Sequence, residues 1–257
     1  MLDTQNREVP LLRNTQLLIV ACALLLCPSI VLGQQPDAGF KGGAPALCVA
    51  AGEVLSRQPG ADATIKDAVL AWHQILYVMD GTEAQREAAL EEARASFAAN
   101  EGKRSWLIGA RTLWASACAS REMQIKSIVV HASWDRTRDH LAEEPGTELG
   151  VDVARRVNFG AACFTAAEFF RKPPASRTLR SALKTVSPPA PDPGTLQVIQ
   201  ERWRKEIDNA GGSTAGKALV LDYYRYLITT STSNAAPQRF LNRTSQQLRD
   251  QCQAPAK

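Results

Sequence analysis

The sequence predicts an all-α fold, made of disulfide-linked helical bundles in which a unit of four to five helices occurs twice in tandem. Hydrophobic residues recur at three- and four-residue steps along most of the chain, and no convincing run alternates between apolar and polar residues. Cysteine-bearing segments recur in both halves of the chain. Of the 257 residues, 45% are hydrophobic and 22% are charged, which are ordinary values for a globular protein and argue against disorder of the whole chain.

Helices account for most of the first half. The amphipathic pattern is clear around Trp72, where apolar residues fall on one helix face. Thr82 and Gln85 form the capping-box pattern that begins the next helix. The β-branched residues Val129 and Val130 favour a helix less, because such side chains lose χ1 freedom there. The predicted helices span residues 45–57, 63–79, 82–99, 103–120 and 122–142.

The second half has the same helical pattern, with a proline-rich interruption. Four prolines lie between Ser187 and Gly194, a composition that is typical of a stiff surface loop. Apolar residues recur at helical spacing on both sides of this loop. The predicted helices span residues 149–171, 195–209, 214–230 and 237–252.

A duplication is the most informative feature of the sequence. Segments 46–59 and 161–174 align without gaps, and each carries a cysteine and a glutamate at matched positions. The matched pairs include Ala46 and Ala161, Cys48 and Cys163, Ala51 and Ala166, Glu53 and Glu168, and Pro59 and Pro174. The alternative is that two alanine-rich helices resemble each other by composition alone.

The other two cysteines close the two halves in the same way. Apolar residues stand at equal distances before each cysteine, along one stripe of a helix: Leu107 and Trp114 before Cys118, and Leu241 and Leu248 before Cys252. The repeat therefore predicts two disulfides, each within one half: Cys48–Cys118 and Cys163–Cys252. Four cysteines allow three pairings, and the sequence leaves the other two open.

An apolar segment near the N-terminus predicts export. Residues 17–32 carry no charge and are short for a membrane span, which needs roughly 20 apolar residues. Val31 and Gly33 are small enough for signal peptidase, so we expect cleavage after Gly33. The alternatives are an uncleaved anchor, because the preceding region is long and nearly neutral, and a lipoprotein modified at Cys22.

Cleavage would leave four cysteines, an even number that favours disulfides in an oxidising compartment. We therefore expect a periplasmic or extracellular protein with no membrane span after cleavage, and the oligomeric state is left open. The predicted organisation is a signal peptide at 1–33, a disordered linker at 34–44, a first helical repeat at 45–145 and a second at 146–257.

Charge and motifs narrow the range of ligands. The formal net charge is +4, and basic residues are interleaved with acidic ones, so nucleic acid is not an expected partner. The sequence has no glycine-rich nucleotide motif, no hydrolase nucleophile motif and no closely spaced cysteine pair. We therefore expect no cofactor.

One segment is a candidate metal or acid–base site. His131, Asp135 and Asp139 are spaced four residues apart, which places them on one face of the predicted helix, and His140 follows. Imidazole and carboxylate groups in this arrangement can hold a divalent metal or transfer a proton. Arginines in the same segment favour the alternative of a solvated, charged helix face.

The carboxylates Glu53 and Glu168 form a second candidate site, because they occupy equivalent positions in the repeat. A pair of carboxylates across a pseudo-twofold axis could serve catalysis or bind a cation. The alternative is that each glutamate forms a salt bridge or a cap on the surface of its own half.

The leading functional hypothesis is a non-enzymatic exported protein that binds another exported or envelope protein, as an accessory, inhibitor or immunity-type factor. An exported metal-dependent hydrolase that uses the His131, Asp135, Asp139 and His140 cluster is the first alternative. An apolar-ligand carrier is the second, with a pocket between the helices that bear three tryptophans, Trp72, Trp106 and Trp114.

Overall fold

Helices form wherever the sequence shows helical periodicity. The computed structural model describes residues 43–144, 150–233 and 236–253, and within them it has eleven α-helices and no β-strand, so the all-α prediction is confirmed. The first half contains α1 (Gly43–Ser56), α2 (Ala63–Val78), α3 (Glu83–Ala98), α4 (Arg104–Leu113), α5 (Arg121–His131) and α6 (Trp134–His140). The second half contains α7 (Val151–Arg171), α8 (Arg177–Lys184), α9 (Pro193–Asn209), α10 (Thr214–Ser233) and α11 (Gln238–Gln247).

A π-helical turn continues one α-helix in each half. Trp114–Cys118 continues α4, and Leu248–Cys252 continues α11, where the sequence predicted α-helix throughout. In the first turn, the Ala119 amide donates a hydrogen bond to the Trp114 carbonyl oxygen at 2.8 Å. Both turns end at a cysteine that is fully buried.

The segment 122–142 differs from the prediction, because it forms two helices and not one. Ala132 and Ser133 have an extended backbone between α5 and α6. The Ser133 hydroxyl caps α6 by accepting a hydrogen bond from the Arg136 amide at 3.3 Å. Serine is favoured at helix N-termini, and the β-branched residues just before it have low helix propensity. Two local preferences therefore break the helix here.

The proline-rich loop is held against α11. The carbonyl oxygen of Pro188 accepts a hydrogen bond from the Ser245 hydroxyl at 2.7 Å, and that of Pro189 accepts one from Arg249 at 3.0 Å. Before this loop lies α8, a two-turn helix that the sequence analysis did not predict; it is capped by the Ser176 hydroxyl. The loop is therefore part of the packed structure of the second half.

One hydrophobic core runs through both halves. Within the first half α1 packs against α2 and α3, and within the second half α7 packs against α9 and α10. Helices α2 and α10 come from different halves and contact each other. The largest fully buried side chains include Ile75, Met79, Ile128, Leu141, Trp203, Ile207 and Leu219.

Each half is closed by one disulfide. Cys48 on α1 is bonded to Cys118, and Cys163 on α7 is bonded to Cys252, which is the pairing that the repeat predicted. Each bond joins the cysteine helix at the start of a half to a π-helical turn; in the first half α5 and α6 follow this turn. All four cysteines are buried.

A buried tryptophan accompanies each disulfide. The indole N–H of Trp72 donates a hydrogen bond to the Cys118 carbonyl oxygen at 2.8 Å. The indole N–H of Trp203 donates one to the Cys252 carbonyl oxygen at 2.9 Å. Both indoles lie in the core with their one polar group satisfied, as buried tryptophans usually do.

Further features recur at equal intervals in the two halves. Trp72, Gly81, Thr82 and Arg94 in the first half have the same spacing as Trp203, Gly212, Ser213 and Arg225 in the second. Gly81 and Gly212 both have a positive φ, 119° and 92°, which favours glycine. The hydroxyls of Thr82 and Ser213 both accept a backbone hydrogen bond, at 3.3 Å and 3.0 Å. These matches support a tandem duplication, which stays a prediction.

Some predictions lie outside the described residues. They concern the signal peptide at 1–33, most of the linker at 34–44 and the boundary between the two repeats after residue 145. Gly43 and Ala44 were assigned to the linker, but they form the start of α1.

Candidate functional site

Each of the repeat-equivalent glutamates forms an ion pair within its own half. Glu53 on α1 accepts two hydrogen bonds from Arg94 on α3, at 3.0 Å from Nε and 2.7 Å from Nη2. Glu168 on α7 likewise accepts two from Arg225 on α10, at 2.9 Å from Nε and 3.4 Å from Nη2. The two arginines stand at equal distances after the buried tryptophans of their halves, Trp72 and Trp203. Each carboxylate is therefore neutralised by an arginine that joins two helices of the same half.

The surroundings of Glu53 change its pKa. Partial burial opposes ionisation, but hydrogen bonds with His73 and Arg94 outweigh burial and lower the pKa of Glu53 from 4.5 to about 2. Because this pKa is below the ordinary value, ionised Glu53 stabilises the fold above about pH 4.5. The stabilisation is lost as the pH falls from that value towards 2.

We expect Arg94→Met to lower the free energy of unfolding by about 1–2 kcal/mol at pH 7, because the partly buried Glu53 then lacks the guanidinium that donates two hydrogen bonds to it. Solvent screening keeps the loss in this range, since the Arg94 side chain is 39% exposed. The deficit relative to the wild type should shrink as the pH falls below 4.5 and Glu53 becomes protonated. Denaturant unfolding followed by circular dichroism at pH 7 and pH 3 measures both quantities.

The equivalent substitution in the second half, Arg225→Met, is the matched control. The Glu168 side chain is 38% exposed, against 19% for Glu53, so solvent screens its ion pair more strongly. We expect a loss below about 1 kcal/mol. Equal losses in the two variants at both pH values would contradict a special stabilising role for the Glu53 pair.

The four residues of the predicted metal or acid–base cluster are divided between two helices. His131 ends α5, whereas Asp135, Asp139 and His140 lie on α6. Because the helix breaks after His131, the four-residue spacing does not put these side chains on one face. Asp135 is exposed, and His140 contacts Glu143. Within the residues that the structure describes, no group of three or more His, Cys, Asp or Glu side chains is arranged to hold a metal ion.

A buried polar cluster lies where the two halves meet. Nδ1 of His140 is 2.5 Å from Oε2 of Glu143, and the Tyr77 hydroxyl donates to the same oxygen at 3.4 Å. Gln74 donates to the Glu143 carbonyl oxygen at 3.3 Å and to the Ser213 hydroxyl at 2.8 Å. These bonds tie α2 to the chain after α6 and to the start of α10. Sequence reasoning missed the cluster because its members come from three separate segments without a local motif.

The three tryptophans of the predicted carrier pocket do not line the cleft between α6, α7, α10 and α11. Trp72 and Trp114 are buried in the core. A β-carbon on Gly52 would lie 2.5 Å from the Trp114 ring, so the space around this indole is filled. Trp106 is half-buried, and its indole N–H has no hydrogen-bond partner. These side chains therefore serve the packing of the first half.

Exposed hydrophobic side chains concentrate on α5 and the start of α6. Six large hydrophobic residues in the described part of the chain are exposed, and four of them lie in this short segment. On α5 they project away from Ile125 and Ile128, which are buried in the core. Single exposed hydrophobics are ordinary, but several in one short segment make that segment a candidate contact surface. We call this cluster the α5–α6 surface, defined by Met123, Val129, Val130 and Trp134.

A cleft of about 500 Å³ opens beside this surface, between α6, α7, α10 and α11. Trp134 forms one edge of it. Burial raises the pKa of the Tyr224 hydroxyl in the wall, because a charged phenolate is poorly solvated there. The volume lies within the range of small-molecule sites. The apolar part of the wall is formed by Phe159, Tyr224, Leu227, Ile228 and Phe240.

Two arginines on neighbouring helices also line the cleft. Arg155 on α7 and Arg138 on α6 donate hydrogen bonds to Asp139, at 3.0 Å and 2.8 Å, and hold its pKa well below the ordinary value. Two other carboxylates are farther away: Asp135 is 3.5 Å from Arg138, and Asp152 is 3.7 Å from Arg155. Both are largely exposed, whereas Asp139 is 14% exposed. The two guanidinium groups therefore share one shielded carboxylate.

Together these features define a disulfide-linked all-α protein with an apolar surface and a mostly apolar cleft. In the part of the chain that the structure describes, no helix has the length and apolar character needed to cross a bilayer. Comparison with known proteins gives no matching protein-family model, no matching curated protein and no matching solved structure. The function is therefore argued from the residues of this chain.

Proposed function

We propose that the protein is exported and binds another exported or envelope protein through the α5–α6 surface, as an accessory, inhibitor or immunity-type factor. The concentration of exposed hydrophobic side chains on this surface carries the proposal. Each of these side chains leaves apolar area in water, and a partner that covers them gains about 25 cal/mol for each Å² buried.

Two features make this surface suited to protein binding. Its inward side is anchored, because Ile125 and Ile128 lie in the core, so little conformational freedom is lost on association. Its outward side also carries the ion pair of Glu122 and Lys126, with 2.6 Å between the charged atoms. Apolar centres with polar neighbours are typical of protein interfaces.

The disulfides support export. Both are buried, and each closes a long stretch of chain, with sequence separations of 70 and 89 residues. Disulfides of this kind persist in oxidising compartments, whereas cytosolic thiols are kept reduced. With the apolar segment 17–32, they favour removal of a signal peptide after Gly33 and a periplasmic or extracellular location.

We expect Val130→Asp to abolish capture of the partner, because a buried carboxylate without a cation opposes association. Val198→Asp on α9 is the matched control, since the two valines are 69% and 63% exposed. The experiment places a photo-crosslinking residue at position 130 or 198 in cells that export the full chain. One distinct partner should crosslink from position 130 only. The exported chain in this crosslinked product should begin at Gln34.

Several outcomes would overturn this proposal. Identical crosslinks from positions 130 and 198 would show that the α5–α6 surface has no selectivity. Crosslinks only to a second copy of the chain would show that the surface serves self-association and not binding of a different protein. The mass of the purified protein in solution would verify self-association. An unprocessed N-terminus in the cytosol would overturn export. Thermal unfolding of both aspartate variants confirms that neither has lost the fold.

A further inference from the structure

We propose that the cleft between α6, α7, α10 and α11 binds one amphipathic carboxylic acid. Its apolar chain would lie along Phe159, Tyr224 and Phe240, and its carboxylate would bind the guanidinium groups of Arg138 and Arg155. This goes beyond the proposed function: the cleft adjoins the α5–α6 surface at Trp134, but the exposed side chains of α5 do not line it.

The chain-binding part of the proposal follows from the size and the walls of the cleft. The cleft is partly open to solvent and has a volume of about 500 Å³, which is enough for a small ligand. Besides Trp134, its walls carry aromatic rings from three further helices, Phe159 of α7, Tyr224 of α10 and Phe240 of α11. An apolar chain would bury its surface against these rings, and each added methylene group should tighten binding about fourfold.

The choice of an anion follows from the charges at the cleft. Asp139 accepts hydrogen bonds from both Arg138 and Arg155, whose side chains are about half exposed, so these three groups together carry one net positive charge. The bonds to Asp139 use Nε and Nη2 of Arg138 and Nη2 of Arg155, which leaves N–H groups on both arginines for a ligand. Guanidinium groups bind carboxylates in a planar, paired geometry, more strongly than neutral groups do.

The choice of a single negative charge follows from the neighbouring acids. Asp139 already neutralises one of the two arginines, and the exposed Asp135 and Asp152 flank the pair. A single carboxylate balances the net charge of Arg138, Arg155 and Asp139. A doubly charged phosphate monoester would leave an excess of negative charge at the edge of an apolar cleft, which is costly there. A fatty-acid carboxylate therefore fits the site, and a phosphate headgroup does not.

The test measures binding of decanoate and of 1-decanol to the purified mature protein by titration calorimetry. We expect decanoate to bind at least about tenfold more tightly than the alcohol of equal length, because it alone forms charged hydrogen bonds with the arginines. Octanoate should bind more weakly by about fourfold for each methylene group removed. Equal binding of acid and alcohol, or absence of decanoate binding, would overturn the proposal.

Two kinds of variant locate the site. Arg138→Gln should weaken decanoate about tenfold and leave decanol unchanged, which a merely structural role of Arg138 would not do. Ala162→Phe places a ring in the cleft and should abolish binding of both ligands. Val130→Asp should bind decanoate like the wild type. Unchanged decanoate affinity in Ala162→Phe, with the fold verified by circular dichroism, would show that the ligand lies elsewhere.

Discussion

Replacing Cys163 and Cys252 by alanine is expected to lower the free energy of unfolding by about 4 kcal/mol. The disulfide closes a loop with a sequence separation of 89 residues, and loss of this closure gives the unfolded chain much more freedom. The same substitution at Cys48 and Cys118, with a separation of 70, should cost nearly as much, because the loop entropy changes only with the logarithm of its length. Guanidinium unfolding followed by circular dichroism gives both values.

The shape of the unfolding curve is part of this prediction. Because one hydrophobic core includes residues from both halves, each double variant should still unfold in a single transition. Two separate transitions, or a loss below about 1 kcal/mol in either variant, would contradict the assigned role of the disulfides. Alkylation of the denatured wild-type protein without reductant serves as a control, since no mature cysteine should react.

Gly52→Ala is expected to destabilise the protein by about 2–3 kcal/mol. A β-carbon at this position on α1 would lie 2.3 Å from Cγ2 of Val69 and 2.5 Å from a ring carbon of Trp114. The buried Trp114 ring is held by the core around it, so overpacking should outweigh the gain of roughly 1 kcal/mol that alanine gives over glycine in a helix. Thermal and denaturant unfolding measure the change.

Gly109→Ala is the matched control for this substitution. Gly109 also lies inside an α-helix, but it is exposed and a β-carbon there would meet no atom within 4 Å. Only the helix preference remains, and we expect a gain of about 0.5–1 kcal/mol. If both variants shift stability in the same direction, the close approach of Trp114 to α1 does not have the expected effect on stability.

Patterns within a short stretch of chain predicted much of this fold. The apolar spacing around Trp72 predicted a helix at 63–79, and α2 spans Ala63–Val78. The capping box of Thr82 and Gln85 is formed, with both of its hydrogen bonds. The sequence similarity of the two cysteine helices predicted the pairing that the structure contains. These features depend on local spacing or on internal similarity, which a sequence displays directly.

Features that depend on competing preferences or on tertiary contacts were missed. The apolar spacing continues through Ala132, so the break between α5 and α6 is signalled only by the capping preference of Ser133 and the low helix propensity of Val129 and Val130. The cleft is formed by residues of four helices, and its position depends on how those helices pack. Asp139 is another example. The sequence made its carboxylate a candidate metal ligand, but only the packing of the helices shows that Arg155, from another helix, donates a hydrogen bond to it and neutralises its charge.

The two disulfides close two covalent rings that share no residue. The first ring ends at Cys118 and the second begins at Cys163, so the main chain between them is the only covalent bridge from one ring to the other. A single proteolytic cut in this bridge would open neither ring. The two pieces would then be held by the side chains that they bury together, including those of α2 and α10. In topological terms, the oxidised molecule consists of two closed rings joined by one stretch of main chain. We expect a molecule cut in this stretch to stay folded until the hydrophobic core common to both halves unfolds.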